Sequence, residues 1–347
     1  MIEIDGALGE GGGQILRTSI ALSIISGEPV KIYNIRKNRP KGGGLRPQHI
    51  TAINALKEIS NSRTENVFEG SKEITFYPGK PKPGKYSFNI GTAGSISLVL
   101  QAILPAISKI DGLFDIHLIG GTDVAWSPPI DYLDHVLFPV LRRMGISIQL
   151  ELKKRGYYPK GGGEVFIKVK GTSEIKQINA IYRPDIVYIS GISHATNLPK
   201  HIAERQAKSA KEILMTAGYT NVNFKIEHNI SKEFRGLGSG ICIWANSQEL
   251  VAIGGDALGS KGKRAEVVGQ EAAEKIIESL ETKMAFDYHV GDMLIPFLAL
   301  AKDTSKIGVS KITNHLTTNI TIVRKLLGTD ISLKKENGAT IIIVKRK

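Results

Sequence analysis

The stretch VGDMLIPFLALAKDTSKIGVSKITNHLTTNITIVRKLLGTDISLKKENGATIIIV, residues 290–344, decides the fold class because its hydrophobic period alternates between helix and strand. Helical spacing over Val290–Ala301 gives way to a strand at Lys306–Ile312, then to a helix over Thr318–Leu327. Two strands follow, Ile331–Lys335 and Thr340–Val344, joined at Asn337-Gly338, a dipeptide suited to a tight hairpin. The same succession stands earlier in the chain: helix Ala93–Ile107, strand Phe114–Ile119, helix Ile130–Met144 and a hairpin of Ser147–Lys154 with Glu164–Val169. It stands a third time at the N-terminus, with helices Gln14–Ile25 and Pro47–Ile59, strand Val30–Ile35, and strands near Ile74–Tyr77 and Tyr86–Ile90. Each copy would present a sheet with two helices on one face, and three copies can bury those faces against one another. The fold class expected is α/β (α+β).

Residues 178–283 break this pattern. They read as a strand, a helix near Lys200–Ala217, three strands and a helix over Ala265–Leu280, a compact α/β unit placed between the second and third copies. The domain division expected is 1–177 with 284–347 as a large domain and 178–283 as a smaller insert.

The 347 residues are 41% hydrophobic and 23% charged, ordinary for a globular chain. No apolar run reaches the ~18 residues that cross a bilayer, and the N-terminus has no signal-peptide pattern. The single cysteine, Cys242, leaves no intrachain disulfide and reads as a buried thiol. A cytoplasmic protein is expected. The net charge of +13 favours polyanionic partners. Arg36, Lys37, Arg39, Lys41 and Arg46 fall within one acid-free stretch, and Lys153, Lys154, Arg155 and Lys160 crowd another. Lys345-Arg346-Lys347 reads as a solvated tail.

Both basic stretches flank a glycine triplet, Gly42–Gly44 and Gly161–Gly163; a third triplet, Gly11–Gly13, follows Glu10. A triplet alone reads as a tight turn. With cations beside it, its amides can face one bulky anion, which points to a phosphate-rich ligand. No Walker lysine motif is present, and no histidine pair has zinc spacing. His117 and His135 read as structural. His315 differs: it falls in Thr313-Asn314-His315-Leu316-Thr317-Thr318-Asn319, a polar turn between strand end and helix start, with Thr317 or Thr318 as the expected N-cap. Such turns hold reactive groups in many α/β sheets, although spacing alone equally allows an idle loop histidine. Asp292, early in a helix, reads either as a dipole partner or as a site carboxylate. Glu10 reads as a turn residue or as the holder of a divalent cation on triphosphate oxygens.

Taken together, Glu10-Gly-Gly-Gly-Gln14-Ile-Leu-Arg17, Ile35-Arg36-x-x-Arg39, Gly44-Leu45-Arg46-Pro47-Gln48-His49, Gly120-Gly121-Thr122-Asp123, Arg155-Gly-Tyr-Tyr-Pro-Lys-Gly-Gly-Gly163 and His315-Leu-Thr-Thr-Asn319 resemble RNA 3′-terminal phosphate cyclases over the whole length. The resemblance implies three βαβαββ-type units plus an inserted α/β domain. It implies ATP-dependent conversion of an RNA 3′-phosphate to a 2′,3′-cyclic phosphate, through AMP carried on a histidine that corresponds to His315. It further implies an adenylate site of Gln101, Pro128, His289, Val290, Gly291, Asp292 and Met293, phosphate or RNA contacts from Arg17, Arg36, Arg39 and Gln48, and Glu10 beside a divalent cation, Mg or Mn. Family members usually carry glutamine where this chain has Met293, and some carry an aromatic where it has Leu258. The expected partners are RNA with a 3′-terminal phosphate and ATP, with no membrane; an exposed sheet edge would allow a homo-oligomer. Three other readings stay open: a non-catalytic cyclase-like RNA-binding factor in ribosome assembly, which would lack the histidine; an enolpyruvyl transferase, which would not need the Arg155–Gly163 element; and a pure RNA-binding module, for which the 6% of aromatic residues shows no recognisable stacking motif.

Overall fold

The computed structural model describes residues 1–39, 42–336 and 339–345. Asn337-Gly338, Pro40-Lys41 and the Arg346-Lys347 end of the basic tail lie outside the described residues.

The chain is α/β and builds three four-stranded sheets with one topology. The first uses β1 (Ile2–Asp5), α1 (Gly13–Ser26), β2 (Val30–Tyr33), α2 (Pro47–Ser60), β3 (Arg63–Glu65) and β4 (Ile74–Tyr77). The second uses β5 (Gly84–Asn89), α3 (Ile96–Ile107), β6 (Leu113–Gly120), a helix of α4 (Ile130–Tyr132), a π-helical turn (Leu133–Leu137) and α5 (Phe138–Arg143), then β7 (Ser147–Lys154) and β8 (Gly163–Lys170). The third opens with β9 (Asn179–Ala180). An excursion follows, of β10 (Tyr188–Thr196), α6 (His201–Thr216), β11 (Val222–Asn229), β12 (Gly238–Asn246), β13 (Gly254–Leu258) and α7 (Ala265–Glu281). The third set then resumes with α8 (Tyr288–Leu300), β14 (Ser305–Val309), α9 (Asn314–Leu327), β15 (Asp330–Glu336) and β16 (Ala339–Lys345). In each of the three sheets the first two strands run parallel and the fourth lies antiparallel between the second and third, giving β1-β2-β4-β3, β5-β6-β8-β7 and β9-β14-β16-β15.

Three short strands escape the period reading. β3 and β9 have three and two residues, too few for an alternation to stand out, and β1 is a four-residue strand at the very start of the chain. Tyr86–Ile90 therefore reads as the end of the first copy, whereas β5 pairs with β6 and opens the second. Likewise β9 pairs with β14, so the excursion interrupts the third set after its first strand. It leaves and returns at one point, where Tyr182 and Met284 are bridged antiparallel.

Helices from all three sets meet in the middle. Ten consecutive residues of α1, Ile15 to Ile24, are buried, as expected of a helix covered on all sides. It packs on α2, α3 and α9, while α8 packs on α9 and α3. One apolar core runs through the three sets, and the excursion holds its own around Ile189, Leu214, Ile243 and Leu280. Cys242 is buried, His117 stacks on Phe166, and His135 stacks on Trp244 of the excursion at 4.0 Å.

Candidate active site

His315 sits in the first turn of α9, not in the turn before it. The helix begins at Asn314 because the Thr313 hydroxyl, rather than Thr317 or Thr318, accepts the Leu316 N–H at 2.9 Å. That start places the imidazole at the positive end of a 14-residue helix dipole.

The ring is gripped from another repeat. The Gln14 amide donates from Nε2 to the His315 carbonyl at 3.0 Å, and its Oε1 meets Nδ1 of the ring. The first bond fixes which way the amide points, so Oε1 is an acceptor and Nδ1 carries the proton. Nε2 is left with its lone pair, 3.5 Å from the Glu10 carboxylate. Burial lowers the His315 pKa, the charges of Arg17 and Arg39 lower it further, and Glu10 opposes them. The ring is a neutral base with a defined tautomer.

Gln14 and Arg17 belong to α1, whose N-cap is Gly12, with no side-chain cap bond. Its first-turn amides therefore add a second positive helix end beside the first. α2 brings a third: the Arg46 N–H donates to Nδ1 of His49 at 3.0 Å, and a Cβ at Gly13 would overlap the opposite edge of that ring. Only glycine allows α1 and α2 to approach so closely. His49 is buried, and burial together with Arg17, Arg36 and Arg46 pushes its pKa down to about 3, so it stays neutral. Arg17 is buried and its Nε has no protein partner; burial lowers its pKa to about 10, leaving it charged at neutral pH. A buried guanidinium with an unused donor suits an anion. Arg39 reaches Glu10 at 3.4 Å and lies over the Gly12 backbone.

Asp292 approaches from α8. Its carboxylate accepts the Thr313 hydroxyl at 2.6 Å, and its carbonyl accepts the Asn319 amide at 2.7 Å. Asn319 in turn accepts from Thr18 of α1 at 2.8 Å. The carboxyl is thus wired to the cap of the histidine helix, and burial pushes its pKa up to about 7, with Asp287 and Glu10 adding to the rise. Gln101 of α3 meets the Met293 sulfur at 3.1 Å. Val290 and Gly291 are buried in the first turn of α8, where Asp287 caps Val290. His289 is exposed and lies edge-on to Tyr132 at 6.1 Å. Pro128 is half-buried in the loop that leads to that tyrosine.

The expected residues therefore divide. Glu10, Arg17, Arg39, Asp292 and His315 converge. Arg36 turns its Nη1 to the Gly44 carbonyl at 2.9 Å, and Gln48 accepts the Ser95 N–H at 3.0 Å, so both brace loops around the site. Gln14 and His49 were legible only as motif letters; nothing in local spacing reveals a ring held from 301 positions away.

Arg155 does not belong to the anion-facing cations. It is buried, forked onto Asp131 at 2.7 and 3.2 Å and onto Glu227 at 2.7 and 3.1 Å, with Asp123 at 3.3 Å. His194 of β10 reaches Asp123 at 3.2 Å and accepts or donates with the Tyr157 hydroxyl at 2.8 Å. Asp123, Asp131 and His194 have metal-like spacing, but the guanidinium already fills the charge there. The cluster ties the second repeat to the excursion.

A family model for RNA 3′-terminal phosphate cyclase matches residues 8–333. This chain belongs to the RNA 3′-terminal phosphate cyclase family. As a member the cyclase is a ligase-type enzyme. It is 53% identical to the RNA 3′-terminal phosphate cyclase of Thermococcus kodakarensis over 346 residues, covering 99% of this chain and 98% of that one. The cyclase of Pyrococcus furiosus is 52% identical over 334 residues, covering 96% and 95%. Among solved structures, the enolpyruvyl transferase NikO from Streptomyces tendae overlays with a TM-score of 0.40 at 10% identity, covering 98% of this chain and 47% of that one. That score is too low to carry an argument. Among the described residues, no helix of the cyclase is long and apolar enough to cross a membrane.

Proposed function

We propose that this protein is an ATP-dependent RNA 3′-terminal phosphate cyclase working through AMP carried on His315. The observation that carries the reading is the two-point grip of Gln14 on His315, which leaves a neutral Nε2 open beside Glu10, Arg39 and Arg17.

Nε2 attacks the α-phosphorus of ATP and pyrophosphate leaves. The proton stays on Nδ1, donated to the Gln14 Oε1, so charge building on the ring is met by an oriented amide. An oxygen of the RNA 3′-phosphate then attacks the same phosphorus, frees the imidazole and takes the adenylyl group. The neighbouring 2′-hydroxyl closes on the activated 3′-phosphorus, its proton passing to water, and AMP departs. All three displacements need charge neutralisation and in-line placement more than acid–base work. Arg17, Arg39 and the amino ends of α1 and α9 supply it. Arg36 and Gln48 hold the loops that would border the RNA. The α8 segment His289–Met293, with Gln101 and Pro128, would receive the adenylate; Met293 gives a sulfur where an amide would donate. This reading takes 1–177 with 284–347 as the catalytic domain, 178–283 as an insert, and the cytoplasm as the place of work.

A divalent cation, Mg or Mn, fits at Glu10 only in part. One exposed carboxylate already paired with Arg39 is no protein cage, yet a cation of this kind is commonly held by one carboxylate and the phosphates it accompanies. When bound it would neutralise triphosphate charge.

The test is covalent labelling. With α-labelled ATP and a divalent cation, the protein should retain acid-labile label, and His315→Ala should abolish it with the fold intact by circular dichroism. Label that persists in His315→Ala moves the nucleophile elsewhere. A chain that never labels favours the non-catalytic RNA-binding reading.

A further inference from the structure

Trp126 is 99% exposed, on a backbone with φ of 67°. Left-handed backbone is a costly state for a bulky residue, and an indole gains by leaving water. This loop holds it out on both counts. Tyr158, 79% exposed, stands on the adjoining loop. The Thr122 and Asp123 N–H groups both donate to the Gly156 carbonyl, at 2.9 and 3.1 Å, and Asp123 bridges Tyr157 in parallel, so the two loops run side by side. Lys160 and Arg235 flank them, both exposed and without an ion pair among the described residues. Arg235 lies across the space a Cβ at Gly162 would take, 2.8 Å from it.

From this surface a series of close contacts leads through α2 to the start of α1. A Cβ at Gly161 would stand 2.6 Å from the Thr92 carbonyl, and one at Gly94 3.0 Å from Gln48 of α2. α2 then reaches Gly13 through His49. At its other end the Trp126 loop runs through Pro128 into the helix whose Tyr132 meets His289.

We propose that Trp126 and Tyr158 form a stacking platform for unpaired bases of the RNA 5′ of its terminal phosphate, with Lys160 and Arg235 on the sugar–phosphate chain. This rests on the RNA substrate proposed above and specifies how the strand is held. Aromatic faces accept any base, so the platform selects an unpaired 3′ end rather than a sequence. The positive charge beside the rings argues for nucleic acid over an apolar protein partner.

The test uses the full chain and a 3′-phosphorylated single-stranded oligonucleotide of about six nucleotides. Binding should quench tryptophan fluorescence, and Trp126→Phe should remove that quench, because the second tryptophan, Trp244, is stacked on His135. Trp126→Ala should weaken binding roughly tenfold, as should Tyr158→Ala, by anisotropy of a labelled oligonucleotide. Unchanged affinity in both alanine variants overturns the platform. So does a quench produced by ATP and not by RNA, which would make Trp126 part of the nucleotide site. Self-labelling of the unmodified protein is measured separately: its failure sinks the proposed activity, while the RNA titration still decides the platform.

Discussion

Removing the Arg155 guanidinium should undock the excursion from the second repeat, and the size of the effect can be worked from the contacts. Arg155 forks onto Asp131 and Glu227 and reaches Asp123, with Asp123 2% and Asp131 6% exposed. Arg155→Met keeps much of the volume but strands buried carboxylates. Breaking a buried pair by deleting one partner costs about 3–5 kcal/mol, or roughly two to three-and-a-half powers of ten in the equilibrium. Trp244 is the reporter: it belongs to β12 and stacks at 4.0 Å on His135 of the second repeat, so its emission follows separation of the two bodies during urea denaturation. The sign of the pH dependence is fixed as well. Burial alone would raise the pKa of Glu227, but Arg155 and Lys225 hold it down at about 2, and Asp123 is likewise depressed. A depressed carboxyl stabilises the native state above its unfolded pKa, and that gain fades as pH falls through the folded value. The variant never has this gain, and its orphaned acids take up protons on acidification. The gap between the two proteins should therefore be widest near pH 7 and narrow toward pH 4. A loss below about 1 kcal/mol, or one equal at both pH values, would refute the reasoning that this arginine is the tie.

Two further outcomes follow from the site. Gln14→Ala frees the imidazole tautomer and should slow self-labelling by roughly 10- to 100-fold, the size of loss seen when the partner that orients a metal-ligating histidine is removed; Gln14→Glu, which restores an acceptor for Nδ1 but not the donor to the carbonyl, should recover part of it. Asp292, whose carboxyl is raised to about 7, binds a proton more readily folded than unfolded, so its contribution is complete below the unfolded pKa near 4 and is lost as pH rises through about 7. Asp292→Asn should flatten that part of the stability curve between urea midpoints at pH 5 and pH 8, leaving the smaller slope of Asp287, raised to about 6.

The sequence by itself determined whatever depends on neighbours a few positions apart. Helical and strand periods located the long elements of all three repeats, because a buried face imposes its spacing on the chain that makes it. The glycine-flanked motifs marked the family, and the polar turn at His315 marked the histidine proposed as its nucleophile. Short strands such as Asn179–Ala180 escaped, since two residues carry no period. The helix cap moved to Thr313 because hydroxyls at 313, 317 and 318 look alike until one of them meets an amide. Tertiary structure alone decided the chemistry of the side chains. Gln14 and His315 meet across 301 positions, Arg155 finds acids from both bodies, and Trp126 finds none of the core. The cause is common to all three: charge state, tautomer and exposure depend on which groups share a few ångströms of space, and in a fold of interlocked repeats those groups come from distant parts of the chain.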